Sequence, residues 1–324
     1  MAQRTPGSLH NLLSRQAEAI FWMARQIERC NNVARVLDVT ASFGREDDSA
    51  NPWSAVLALY SDEAVFDARY AERRAEDIVY FYTLDRENPN SIINNVGFAR
   101  ENARALRPLL STEMWTQLNV FNSTLLQTKR SQLRDEKVSD FCAEVKRNCQ
   151  THGGLVAETL FRDEEWYFYG IGLNLERADQ TTRLVDVKYH ILLPSNAKVG
   201  SQVDVSQWNA VLRSAAGFQA YRRVYHRGLT GEKVAAFLLL DQRLPRSVRS
   251  TTNRACKLLE KLIERYQLSG ADQALKQAQS LAEQTEKARI DAIIANGMHE
   301  WIDDIQCDII QITASIADAF FLKT

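Results

Sequence analysis

The pattern Glu28-Arg29-Cys30-Asn31-Asn32-Val33-Ala34-Arg35-Val36-Leu37-Asp38-Val39 is written again, 148 residues on, as Glu176-Arg177-Ala178-Asp179-Gln180-Thr181-Thr182-Arg183-Leu184-Val185-Asp186-Val187. A spacing held over that length is hard to reach by chance, so the chain is read as two related halves, residues 1–152 and 153–324. A weaker echo joins Pro89-Asn90-Ser91-Ile92 to Pro245-Arg246-Ser247-Val248, each placed to open a helix. The expected fold class is therefore all-α: a duplicated helical bundle whose two pseudo-symmetric halves share one core.

Wound at about 100° per residue, Ile27, Cys30, Ala34 and Leu37 make an apolar stripe, with Glu28, Asn31, Arg35 and Asp38 along its shoulder. The second copy sets Leu175, Ala178, Thr182 and Val185 beside Glu176, Asp179, Arg183 and Asp186. Arg29 and Arg177 turn to a different sector, shared with Val36 and Leu184. Each guanidinium is thus expected to be part-buried against another helix, where it requires an acidic or carbonyl partner. Two roles compete for these charges. In one, they are inter-helix ion pairs that fix how the halves pack. In the other, the shoulders face each other across a cleft, with Glu28 and Glu176 as an acid-base pair. Arg29, Asn31, Arg35, Asp38, Arg177, Asp179, Arg183 and Asp186 then grip the carboxylates and amines of a zwitterionic or peptide-like ligand.

Helix is also what the rest of the chain dictates. Glycines number 13 and prolines 6 in 324 residues, and most fall between long stretches rich in Ala, Leu, Arg, Glu and Gln. Helices are predicted over 8–43, ending at Gly44; from Pro52, capped by Asn51, to a break at 85–90; and over 91–106, 112–126 and 136–151. Gly153-Gly154 marks the expected seam, followed by one long helix over 155–190 in which Gly170 and Gly172 signal close helix contact. After an irregular stretch at 192–205, helices are predicted at 206–217, 218–226, 231–239, 247–266, 271–282 and 288–321, with a sharp turn at Arg243-Leu244-Pro245.

Charge and composition narrow the partners. Forty basic residues against 41 acidic ones leave a net charge of −1 with no basic stripe, so neither nucleic acid nor an anionic membrane is expected. Five scattered cysteines fit reduced, mostly buried thiols better than a disulfide framework. The opening MAQRTPGSLHNLLSRQ lacks the apolar run of a signal peptide, and no apolar stretch reaches the roughly 18 residues of a spanning helix. A cytoplasmic protein is expected.

Other constellations carry less. His299-Glu300-x-x-Asp303-Asp304 sets His299 and Asp303 one turn apart, a spacing open to a divalent metal but equally that of a solvated acidic face; no metal is assigned. Gly153-Gly154 and Gly170-x-Gly172 lack the context of a phosphate loop, and no cofactor is expected. The aromatic run Trp166-Tyr167-Phe168-Tyr169, with Phe161, reads as core with room for a ring on a cleft wall. Arg243, Arg246 and Arg249 suit a phosphate, an acidic partner surface or a solvated turn.

Several of these segments resemble the alpha-E family, helical proteins with a repeated Glu-Arg motif. They are Leu12-Leu13-Ser14-Arg15-x-Ala17-Glu18, Ala24-Arg25-x-x-Glu28-Arg29, Arg100-Glu101-Asn102-Ala103-Arg104, Trp115-x-x-Leu118-Asn119, Leu175-Glu176-Arg177-Ala178-Asp179, Ala235 through Asp241, and Pro245-Arg246-Ser247-Val248-Arg249. The family pattern has a glycine where this chain has Ala24 and an alanine where it has Cys30. The resemblance implies a genomic setting beside a circularly permuted ATP-grasp ligase and a transglutaminase-like protein. It therefore implies a helical partner that docks the ligase or presents a peptide substrate. It brings no catalytic residue list, so a stand-alone acid-base enzyme on an amide or aminoacyl substrate remains the alternative, and a homo-oligomeric scaffold a third reading.

Overall fold

A computed structural model describes residues 12–43, 52–134, 137–190, 202–226 and 228–321. Among these the chain is helical, without strands. In order come α1 (Ser14–Phe43), α2 (Pro52–Tyr60), α3 (Glu63–Asp67), α4 (Ala75–Thr83), α5 (Ile92–Ala105), α6 (Thr112–Gln127), a 3-10 turn (Arg130–Leu133), α7 (Lys137–Thr159) and α8 (Glu164–His190). They are followed by α9 (Gln202–Ser214), α10 (Phe218–Val224), α11 (Gly231–Leu240), α12 (Val248–Tyr266), α13 (Asp272–Lys287), α14 (Ile290–Asn296) and α15 (Met298–Phe320). The Asn51 cap, the stop at Gly44, the start over 8–11 and the irregular 192–201 lie outside the described residues.

Caps fall where side-chain chemistry places them. The hydroxyls of Ser91, Ser111 and Ser247 each accept from the backbone N–H three residues on, opening α5, α6 and α12. Elsewhere predicted helices are broken. The one expected from Pro52 to Asp85 is three short helices. Ser61 adopts a left-handed φ of 55° after α2, and in the highly charged 68–74 only Tyr70 packs on the core. The predicted 288–321 helix is interrupted by Gly297 at φ 104°, a conformation open to glycine. Gly153-Gly154 makes no break. Both lie inside α7 at exposed positions where a Cβ would meet nothing within 4 Å, and the chain turns at 160–163 instead. Residues 202–205, expected to be irregular, open α9.

The two motif helices, α1 and α8, lie against each other at the centre. Around α1, α5 and α7 pack directly and α6 closes the ring by packing on both. Around α8, α12 and α15 do the same and α13 closes on both. A single apolar cluster runs from Leu12 to Phe321 through both sets. The predicted stripes are its middle: Cys30, Ala34, Leu37, Ala178, Thr182 and Val185 are fully buried. What permits so close an approach is Gly172, since a Cβ there would lie 2.5 Å from the Phe21 carbonyl oxygen of α1. At Gly170 a Cβ would lie 2.7 Å from the tip of the Leu258 side chain of α12, a contact that a rotamer change relieves.

Candidate functional site

From the Phe21–Gly172 crossing, two turns further along α1 and one along α8 bring the two Glu-Arg pairs together, and they exchange partners. Arg29 of α1 reaches Glu176 of α8 with Nε to Oε1 at 2.7 Å and Nη2 to Oε2 at 3.0 Å. Arg177 of α8 reaches back to Glu28 of α1, Nε to Oε2 at 3.1 Å. Each motif helix thus supplies the anion that the other's arginine requires. That is the predicted fate of Arg29 and Arg177, which are only 27% and 23% exposed.

Around this exchange the two carboxylates differ. Glu176 is wholly buried and also accepts from Arg25 Nε at 2.8 Å and Gln180 Nε2 at 3.1 Å. Burial by itself would raise its carboxyl, but the adjacent charges of Arg29 and Arg25 overwhelm that and hold it well below the usual carboxylate range. Arg29 is correspondingly raised by the charge of Glu176. Such a glutamate stays ionised and has no face left for a substrate. Glu28 accepts from Arg246 Nη1 at 2.7 Å and from Asn32 Nδ2 at 3.2 Å, while the Arg177 Nε, although close, is not aligned to hydrogen-bond. Burial lowers the Arg246 guanidinium, and Arg177 adds to that, against the pull of Glu28.

Beside Glu28 a cavity of about 660 Å³ opens between α1, α7, α8 and α12. This is the size range of small-molecule sites. Glu28, Asn31, Asn174 and Tyr169 lie buried at its inner end, Arg35, Arg177 and Arg246 are half-buried on its wall, and Arg254, Lys257 and Gln150 are exposed at its mouth. Trp166, Leu173, Val156 and Leu258 complete an apolar surface. Glu28 is the acid on this wall against Arg35, Arg177, Arg246, Arg254 and Lys257. Four buried polar atoms of these residues find no hydrogen-bond partner: Arg35 Nε, Arg177 Nε, Asn31 Oδ1 and Asn174 Oδ1. Burial lowers Arg35, and neighbouring Arg246 and Arg177 push the same way against Glu28. Buried groups left unpaired in this manner are costly, and a ligand is one way to satisfy them.

The expected site residues divide. Glu28, Asn31, Arg35 and Arg177 line the cavity, while the others are drawn to separate neighbours. Asp38 binds Lys146 of α7 at 2.5 Å, Arg183 is held by Asp179 of its own helix, and Asp186 accepts from His299 of α15 at 2.8 Å. His299 stands 3.8 Å from Asp303, and among the described residues no group of three or more His, Cys, Asp or Glu is arranged to hold a metal. Of the aromatic run, Trp166 and Tyr169 reach the cavity, and Phe161 is exposed. Arg246 lies in the ion-pair network, whereas Arg243 and Arg249 pair with Asp241 and Glu286. All five cysteines are free thiols, with Cys307 exposed. No described helix is long and apolar enough to cross a membrane.

Sequence reasoning misses Arg25 and Arg246 as partners of the motif glutamates. Arg25 precedes Arg29 by one turn, a spacing that could have flagged it. Arg246 is delivered by a turn, and only its place in the Pro-x-Ser echo hints at a role.

The Alpha-E family model, described as a predicted alpha-helical domain with a conserved ER motif, matches residues 12–321. The chain belongs to this family. It is also 25% identical over 249 residues to uncharacterized proteins of Mycobacterium bovis and of two strains of Mycobacterium tuberculosis, covering 71% of this chain and 28% of each of theirs. The chain therefore spans less than a third of the length of these curated relatives. No solved structure matches it.

Proposed function

We propose that this Alpha-E chain is the helical partner of an ATP-grasp peptide or amide ligase, and that it presents a peptide-like substrate held in the cavity beside Glu28. The observation that carries the reading is that cavity: an apolar chamber whose wall holds the Arg35 Nε–H and the Asn31 and Asn174 amide oxygens without hydrogen-bond partners. A peptide, which brings both carbonyl and N–H groups, satisfies such a wall. The ligase enters through the family resemblance. The transglutaminase-like protein is proposed as a second neighbour on the same ground.

A duplicated, pseudo-symmetric origin accompanies this reading. It is supported by the exchange of partners between Glu28-Arg29 and Glu176-Arg177, and by the matching neighbours of α1 and α8. The acid-base alternative keeps Glu28 at the cavity but has Glu176 sealed among arginines, so presentation is preferred over proton transfer.

Mixing the purified chain with the ATP-grasp ligase encoded beside it tests the proposal. Co-elution, and a change in ligase turnover when the chain is added, are expected. Failure to associate at micromolar concentrations would refute it.

A further inference from the structure

The two motif copies differ at one position in a way that identifies the missing component of the cavity. In the second copy, Asp179 sits one turn before Arg183 and grips it through two hydrogen bonds, Nε to Oδ2 at 2.9 Å and Nη2 to Oδ1 at 3.2 Å. The corresponding pair in the first copy is Asn31 and Arg35. The neutral amide cannot supply the charge, and both ends show its absence: Arg35 Nε and Asn31 Oδ1 are buried without partners. Asn31 is only 7% exposed and lies on the cavity wall together with Arg35. Where the second copy closes on itself, the first leaves a guanidinium edge facing an open chamber.

We propose that the cavity binds the carboxylate of a peptide-like ligand on the Nε edge of Arg35, in the place that Asp179 fills for Arg183. The ligand class follows from the neighbours. A planar carboxylate matches the fork that Asp179 already demonstrates on the equivalent arginine. The unpaired Asn31 and Asn174 oxygens call for N–H donors close to that carboxylate, which an acylated amino acid or the C-terminal end of a short peptide provides and inorganic phosphate does not. Trp166, Leu173 and Leu258 offer the apolar surface for a side chain. Arg254 and Lys257, exposed at the mouth, draw an anion inward. The inference rests on the reading of a peptide-like substrate and adds which end of the ligand is held and by what.

Calorimetric titration of the purified chain with N-acetyl-L-phenylalanine, N-acetyl-L-leucine and their C-terminal amides tests this, with inorganic phosphate as a competitor. The free acids are expected to bind at least about tenfold more tightly than the amides, with phosphate failing to displace them. Arg35→Gln should abolish the preference for the acid. Asn31→Asp is the sharper variant, because it builds the second copy's closure into the first. It should remove acid binding and at the same time raise the thermal unfolding midpoint, a combination that a merely damaged fold would not give. Equal binding of acids and amides, displacement by phosphate, no acid binding at millimolar concentration, or an Asn31→Asp chain that melts no higher than the parent would each overturn the proposal. All of these measurements use this chain alone. Their failure leaves the ligase association to be decided by co-elution, and a chain that binds acids but never joins a ligase defeats only that earlier reading.

Discussion

Glu176 and Glu28 hold the same place in two copies of one motif, yet the first accepts from Arg25, from both sides of Arg29 and from Gln180 in a closed interior, while the second borders a chamber. Part of the environment is shared: Gln180 and Asn32, at equivalent positions, each donate back to their own helix's glutamate. The divergence comes from two substitutions. Arg25 has Leu173 as its counterpart in the second copy, so Glu28 lacks that arm and takes Arg246 from the turn before α12 instead, while Leu173 lines the cavity. Asp179 has Asn31 as its counterpart, so Arg35 lacks the carboxylate that Arg183 enjoys. The two copies thus differ in kind: one is closed among its own partners, and the other leaves buried polar atoms without hydrogen bonds beside a hollow.

The contrast breaks most visibly at Glu176. Glu176→Gln strands two arginines around a neutral amide and is expected to cost about 3–5 kcal/mol, read from urea unfolding midpoints. A loss under about 1 kcal/mol would erase the distinction between the copies. The same residue should shape the acid limb. Its folded carboxyl is depressed from 4.5 to about 2, so its stabilisation is whole above the unfolded value and disappears as pH falls through the folded one. Glu176→Gln should flatten that limb.

Gly172→Ala attacks both copies together by pushing α8 off the Phe21 carbonyl, at about 2–3 kcal/mol for an overpacked contact. Glu28→Gln should cost about 2 kcal/mol, less than its counterpart because water in the cavity can reach Arg246 and Arg177. Equal losses at the two glutamates would argue that the chamber is dry.

Smaller effects separate the distal aspartates. Asp38 is held by a lysine, Asp186 by His299, whose pKa is raised chiefly by that hydrogen bond. The His299 contribution is present below the unfolded value of 6.5 and is lost as pH rises through the raised folded one. Since His299 is 44% exposed, His299→Asn should remove less than about 1 kcal/mol, and only on the acidic side. Least of all, Arg35→Gln is expected to change stability by no more than about 0.5 kcal/mol, since no carboxylate partner is lost.

The helices and the close approach at Gly172 were legible because they depend on local spacing and on residues with a single strong preference. The breaks at Ser61 and Gly297 were not, since a single left-handed residue inside a helix-forming run leaves little trace in periodicity. For the site, the helical wheel correctly turned Arg29 and Arg177 toward another helix, but it could not say that each would meet the other's glutamate. Asp38, Asp179, Arg183 and Asp186 lay on the motif shoulders on paper and found different partners in space, because two further helices and an intrahelical pair claim them. Asn31 opposite Asp179 was visible in the aligned copies throughout. Its meaning required knowing that the second pair closes and the first faces a hollow.

The exchange of partners between α1 and α8 also sets an order of events during synthesis. Arg29 leaves the ribosome 147 residues ahead of the carboxylate that neutralises it. Until α8 follows, the nascent first half carries Arg25 and Arg29 on a surface destined for the interior, where it cannot be dehydrated without penalty. Contacts so distant in sequence favour slow, late consolidation over early independent collapse. The central crossing is accordingly expected to close only after α8 has been made.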